Sequence, residues 1–295
     1  MWPENVIVRI EGGLGNQLFQ YAAARSLADR LGCGLQLDIR AIHANGDRPY
    51  HLGFYNIRAD ILEATQTIGL PEARSGRLGR FKSRLSQFLP SVFSFPVFWP
   101  NGFAFDPRFD RISKPTYLVG YWQTERYFKW NRAQLLNDVE LVTAPQAAKN
   151  YLKQIKACTS VALHIRRGDY VNNVSAAAVH GTCDLAYYSR AVEDLGKRIS
   201  DIHLFIFSDD LEWSRQNLQY DFPMTFVDNP SLESTQIDLE LMRHCKHHII
   251  ANSSFSWWGA WLAQTQSQLV YAPTRWFSDS NMDASDVVPQ QWIRV

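Results

Sequence analysis

In the second half of the chain, short apolar runs alternate with longer amphipathic stretches. The runs at Val161–Arg166, His203–Ser208, Met224–Val227, His247–Asn252 and Gln268–Ala272 have the length and density of buried strands. Helical spacing fills the intervals at Asp184–Ile199, Leu211–Gln219, Leu232–Cys245 and Phe255–Gln264. Such alternation predicts an α/β fold with a parallel sheet covered on both faces, whose ligands gather at the carboxyl ends of the strands. The first half opens in the same way: Asn5–Ile10 is an apolar run, Gly12 to Gln17 form a turn, Leu18–Leu31 is helical and Gly34–Asp38 returns as a strand. Periodicity weakens between about Ala41 and Trp99. Thr116–Trp122 reads as another strand, and Pro145 suits the first turn of a helix ending near Ala157. A boundary near residues 143–158 divides the chain into an N-terminal domain over 1–150 and a C-terminal domain over 151–295.

One stretch in the weak region stands out. Leu78, Phe81, Leu85 and Phe88 share a helical stripe between Arg74 and Phe88, with Arg77, Arg80 and Arg84 beside it or away from it. Residues 74–88 are open to two readings, an ordinary packed surface helix or a peripheral contact with an anionic glycolipid or membrane surface.

Charge narrows the field. A formal net charge of +1 gives no nucleic-acid footprint, and no window approaches the roughly 20 apolar residues that span a bilayer. The N-terminus lacks a basic region followed by an apolar core and a cleavage site, and the four dispersed cysteines suit reduced thiols. The expectation is a cytoplasmic protein, peripheral at the inner membrane face if 74–88 binds there.

The chemistry is concentrated just after the expected strands. His247–Asn252 runs into Ser253, Ser254, Phe255 and Ser256 before a Trp-rich helix. Hydroxyls at a helix start, where backbone N–H groups lack internal partners, make a socket for phosphate. Trp257, Trp258 and Trp261 fall at core spacing and are not counted with the site. In Val161–Tyr170, alternation aims His164 and Arg166 one way and Arg167 the other. A guanidinium at a strand's carboxyl edge holds a diphosphate in bidentate fashion, a role that falls to Arg166; Asp169 orients it or His164, pairs with a base edge, or shapes the turn. Asp209 and Asp210 splay apart after their strand, which suits a nucleoside contact and a helix cap better than a shared metal. No metal-binding pattern is found, and no metal cofactor is expected. Gly13 and Gly15 begin a G-x-G turn that lets backbone approach a ligand, with Asn16 beside it and Asp38 ending the next strand. Leu18 stands where a dinucleotide fingerprint needs its third glycine.

As an ordered set, GGLGNQLFQYA, HIRRGDY, FSDD and NSSFSWWGAWL resemble the bacterial α1,2-fucosyltransferase family, related more distantly to α1,6- and protein O-fucosyltransferases. The resemblance implies a GT-B architecture: two facing Rossmann-like domains with parallel sheets, an interdomain cleft, and GDP-β-L-fucose held mainly by the C-terminal domain. It further implies metal-independent, inverting transfer to the 2-hydroxyl of a terminal galactose on an oligosaccharide or lipid-linked glycan, with GDP-fucose as co-substrate. Carried over by position, Arg166 falls on the donor diphosphate, His164 beside the nucleotide, and Ser253, Ser254 and Phe255 on the donor. The pair Asp209–Asp210 then includes the guanine-side carboxylate, and Asn16 lies near sugar and acceptor. Glu11, Asp38 and Asp47 are the candidate bases, and the leaving phosphate is an alternative proton acceptor. The first alternative is GDP-fucose-dependent transfer to form another linkage; other function classes are a nicotinamide-dependent oxidoreductase, weakened by the missing third glycine, and a non-catalytic glycan-binding module, which needs no diphosphate site.

Overall fold

The computed structural model describes residues 4–46, 48–63, 96–143, 146, 148–168, 181–229, 234–279 and 281–295. Asp47, Pro145, Asp169 and the stretch 74–88 lie outside the described residues. The chain divides into two compact units, Met1–Val142 with Ser285–Val287, and Thr143–Ala284 with Val288–Val295.

The first unit carries β1 (Val6–Arg9), α1 (Leu14–Leu31), β2 (Leu35–Asp38), α2 (Arg40–Asn45), β3 (Asp60–Ile61), β4 (Val97–Phe98), β5 (Tyr117–Leu118) and α3 (Arg132–Asp138). Its strands pair in parallel in the order β3-β2-β1-β5-β4. β1 is buried along its whole length, as a central strand covered on both faces requires. Helix α1 starts at Leu14, a turn earlier than apolar spacing alone suggests, so Gly15 and Asn16 sit inside it rather than in the preceding turn. Its N-cap is Gly13, with no side-chain cap, and Gly32 in the left-handed conformation ends it. β5 is shorter than the expected Thr116–Trp122. Trp122 takes the left-handed conformation with φ 57°, which turns the chain out of the sheet at a cost of about 1–3 kcal/mol. Phe98, Phe109 and Tyr127 hold it there, with ring centroids 5.9, 5.7 and 5.1 Å from its own.

The second unit carries α4 (Ala148–Ala157), β6 (Thr159–Ile165), α5 (Leu185–Arg198), β7 (Ile202–Ser208), α6 (Leu211–Asn217), β8 (Met224–Phe226), α7 (Ser234–His244), β9 (His247–Ile249), α8 (Ser254–Trp261), β10 (Val270–Ala272) and β11 (Ile293–Arg294). All pairings are parallel, in the order β11-β10-β9-β6-β7-β8. Alternation along β6 and β7 builds two cores. Val161, Leu163, Ile165, Leu204 and Ile206 pack with Tyr187, Tyr188 and Leu195 of α5, whereas Ala162, Phe205 and Phe207 pack with Ile237, Leu241 and Met242 of α7. Trp257 and Trp258 are fully buried, as their spacing predicts.

Helices α7 and α8 touch closely. A side chain at Gly259 would place its Cβ 2.8 Å from that of Met242, closer than such atoms approach, so glycine sets the interhelical distance. No described helix is long and apolar enough to cross a membrane.

Candidate functional site

In the second unit the chain leaves β6 for β7 and β8 on one side, then returns to place β9 on the other. Strand order therefore reverses between β6 and β9, and a parallel sheet opens its ligand crevice at that switch point. The segments that follow these two strands are the ones singled out by sequence. Arg166, Arg167 and Gly168 follow β6; Ser253, Ser254 and Phe255 follow β9 and open α8.

Arg166 pairs with Asp209 through Nη1 and Oδ2 at 2.9 Å, and both are about three-quarters buried. A guanidinium carries its N–H donors in a fixed fork, so this pair sets the orientation of the group. The other oxygen of Asp209 accepts from the Arg167 N–H at 2.8 Å. Gly168 makes room for this, since a Cβ there would meet Asp209 Oδ2 at 2.9 Å. Arg167 turns to the opposite face, with its guanidinium 3.8 Å from the centre of the Trp213 ring and its Nε 3.5 Å from Asp210. Asp210 caps α6, accepting from the Trp213 N–H at 3.1 Å. Asp210 is thus the helix cap of the pair, and each carboxylate has partners within the protein.

His164 is 5% exposed, and its ring centroid lies 5.7 Å from that of Phe255. Burial pushes the imidazole down to about 4, with Asp209 opposing and Arg166 adding to the shift, so the ring is neutral near pH 7. Its Nδ1 has no hydrogen-bond partner among the described residues. Ser253 caps α8, its hydroxyl accepting from the Phe255 N–H at 3.3 Å. Asn252 anchors the preceding loop by donating to the carbonyls of Gly181 and Trp276, each at 3.2 Å.

A carboxylate that sequence reasoning passed over stands beside this cluster. α7 and α8 each run back from the carboxyl edge of the sheet, so one turn toward the edge from the Met242–Gly259 contact brings Asp238 level with Phe255. Oδ1 of Asp238 is buried without a hydrogen-bond partner among the described residues. Burial pushes this carboxyl up to about 7. The signal in the sequence was an aspartate set between Ile237 and Leu239 in an otherwise well-patterned helix.

In the first unit the order reverses between β1 and β5. Gly12, with φ 77°, and Gly13 turn the chain after β1, and Gln17 ties that turn to the next segment by donating to the carbonyls of Gly12 and Pro49, both at 2.8 Å. Asn16 accepts at Oδ1 from Gln123 Nε2 at 2.8 Å. Asp38 is 1% exposed, bonded by Tyr117 Oη at 2.7 Å and by Arg40 Nη2 at 2.7 Å. Burial alone would raise its carboxyl, but the hydrogen bonds from Arg40 and Tyr117 outweigh it and hold the group below its ordinary value. Such a carboxylate braces Tyr117 and is a poor proton acceptor. Glu11, by contrast, is raised by burial, with Arg9 opposing, and has no side-chain hydrogen bond or ion pair among the described residues.

A pair of α/β units with an arginine and a serine-capped helix at a switch point fits many nucleotide-dependent enzymes, and comparison with known proteins narrows the choice. The model of glycosyl transferase family 11 matches residues 106–295. An alpha-1,2-colitosyltransferase of Escherichia coli is 33% identical over 98% of this chain and 98% of its own length. The chain belongs to glycosyl transferase family 11. Galactoside 2-alpha-L-fucosyltransferase SEC1 of Bos taurus is 28% identical over 50% of this chain and 42% of that protein. Among solved structures, fucosyltransferase NodZ from Bradyrhizobium superposes with a TM-score of 0.52 at 14% identity, covering 88% of this chain and 94% of that one. That likeness shows the fold, GT-B. As a member of the family the protein is a glycosyltransferase, which sets aside the oxidoreductase and the non-catalytic module.

Proposed function

We propose that the protein transfers L-fucose from GDP-β-L-fucose to the 2-hydroxyl of a terminal galactose, with inversion and without a metal. The observation that carries this reading is the placing of Arg166 and the Ser253-capped helix on neighbouring strands at the switch point of the second sheet. The second unit is then the donor domain and the first the acceptor side. The acceptor oxygen attacks the anomeric carbon, the bond from that carbon to the β-phosphate oxygen breaks, and GDP departs with its added negative charge. Arg166 and the backbone N–H group of Ser254, in the first turn of the helix, meet that charge where it develops. His164 and Phe255 offer apolar ring surface to the nucleoside, and Asp238 supplies the acceptor for its guanine N–H groups, since Asp209 and Asp210 are engaged by arginines. Gly13 and Gly15 allow close backbone approach and Asn16 reaches the sugar. The hydroxyl proton passes to Glu11, whose raised pKa suits a base. A Glu11→Gln enzyme is expected to lose the acidic limb of its pH–rate profile; a wild-type profile assigns the proton to the leaving phosphate instead.

The name of the Escherichia coli relative favours a second donor, because colitose is the 3-deoxy analogue of L-fucose. Incubation with lactose and, in turn, GDP-fucose, GDP-colitose and UDP-galactose separates the readings. Nucleotide release with a fucosylated product is expected; transfer of colitose alone selects the second donor, and transfer from UDP-galactose alone overturns both.

A further inference from the structure

The first unit holds a pair of side chains, Gln123 and Asn16, joined across its switch point. Gln123 is 7% exposed and follows the left-handed Trp122, which the rings of Phe98, Phe109 and Tyr127 fix in place. That conformation lifts the chain off β5 and delivers the Gln123 amide across the switch point to Asn16 in the first turn of α1. A backbone strained at this point of a parallel sheet marks a site whose geometry is being held.

We propose that Gln123 is a positioning residue that fixes the amide of Asn16 with Oδ1 turned inward and Nδ2 presented outward as a donor to a hydroxyl of the transferred sugar. Gln123 Nε2 gives its proton to Asn16 Oδ1 at 2.8 Å, so the remaining face of the Asn16 amide is its N–H₂ end. Gly12 keeps that end uncrowded: Asn16 Nδ2 lies 2.9 Å from where a Cβ on Gly12 would stand, and Gly12 holds φ 77°. The backbone of Asn16 is fixed as well, its N–H bonded to the Gly13 carbonyl at 2.9 Å. An asparagine anchored at backbone and Oδ1 has one orientation to offer, whereas an unanchored one presents donor and acceptor alternately. The ligand end of this inference rests on the proposed transfer of a deoxyhexose.

Gln123→Glu tests the sense of the bond, because it keeps shape and removes the donor. A carboxylate at this position accepts only, so Asn16 must turn Nδ2 inward and offer Oδ1 to the sugar. The expected result is a fall of about tenfold in kcat with the melting temperature and its rise with GDP left at wild-type values. Gln123→Met is expected to fall less, as the amide then turns freely. In an Asn16→Ala background Gln123→Glu is expected to cost nothing further, since a residue that acts through another shows no effect in its absence. Turnover of Gln123→Glu within twofold of wild type, or full additivity with Asn16→Ala, overturns the proposal. Side-chain amide hydrogen exchange reads the same bond without any substrate. Protection of the Gln123 amide protons over those of Asn16 supports it, and the reverse order sinks it even if the wild-type enzyme proves inert toward every GDP-sugar, an outcome that would count against the transfer reaction alone.

Discussion

Replacing Arg166 by alanine is expected to lower turnover with GDP-fucose by about 10²–10³-fold, the loss that follows removal of one preorganised donor aimed at developing charge. The expectation comes from where the group sits. Arg166 is held by Asp209, which is itself fixed by the Arg167 N–H, so the guanidinium reaches the crevice already oriented. Because the leaving diphosphate gains charge only as the glycosidic bond breaks, an oriented cation there contributes more to the transition state than to the bound donor. The loss therefore falls mainly on kcat. Arg166→Lys keeps the charge but not the fork, and is expected to recover only part of the rate. Stability changes little, since Asp209 is about one-quarter exposed and keeps its bond from Arg167. Turnover of Arg166→Ala within threefold of wild type, measured by GDP release at saturating donor, rejects this assignment.

The second unit was legible in the sequence because its central strands are buried on both faces, which leaves dense apolar runs bounded by helical spacing. The runs at 161–166 and 203–208 match β6 and β7 to within two residues. Strands β3, β4 and β11 are two residues long, and a pair of residues carries no period; their pairing is set by neighbours distant in sequence. The start of α1 was misplaced because Gly13, Gly15 and Asn16 read as a turn, while the helix begins among them on backbone bonds alone. The site residues were legible where chemistry and strand ends coincide, as at Arg166 and Ser253. Asp238 and Gln123 were not, since one sits in a helix and the other beyond a strained tryptophan, and both acquire meaning only from what lies across from them. Asp38 illustrates the converse: it ends a strand as a site residue does, yet its oxygens are taken by Tyr117 and Arg40.

Binding of GDP is expected to strengthen about tenfold per pH unit up to pH 7 and to level off above it, through the ionisation of Asp238. Its carboxyl is pushed up to about 7 by burial, so in the empty protein it holds a proton at pH 6 and has lost it at pH 8. Guanine presents N–H donors, and a carboxylate can accept from them only when ionised. Binding thus draws on the deprotonated form and is penalised wherever the proton must first leave. Asp238→Asn removes both the charge and one acceptor; hydrogen bonds to a charged group contribute about 1.5–3 kcal/mol, so affinity at pH 8 falls by about 10–10²-fold. Its pH profile keeps only the titration of the phosphate, and subtraction isolates the carboxyl. The same group gives a signature without ligand. An unfolded aspartate ionises near its ordinary value of 3.8, so between about pH 4 and 7 the folded chain holds a proton that the unfolded one lacks. Stability contributed by this site therefore falls as pH rises through that window, and urea midpoints of wild type and Asp238→Asn should diverge between pH 5 and pH 8, with the wild type losing more. Parallel midpoints, together with a GDP affinity at pH 8 unaltered by the substitution, would remove Asp238 from the nucleotide site.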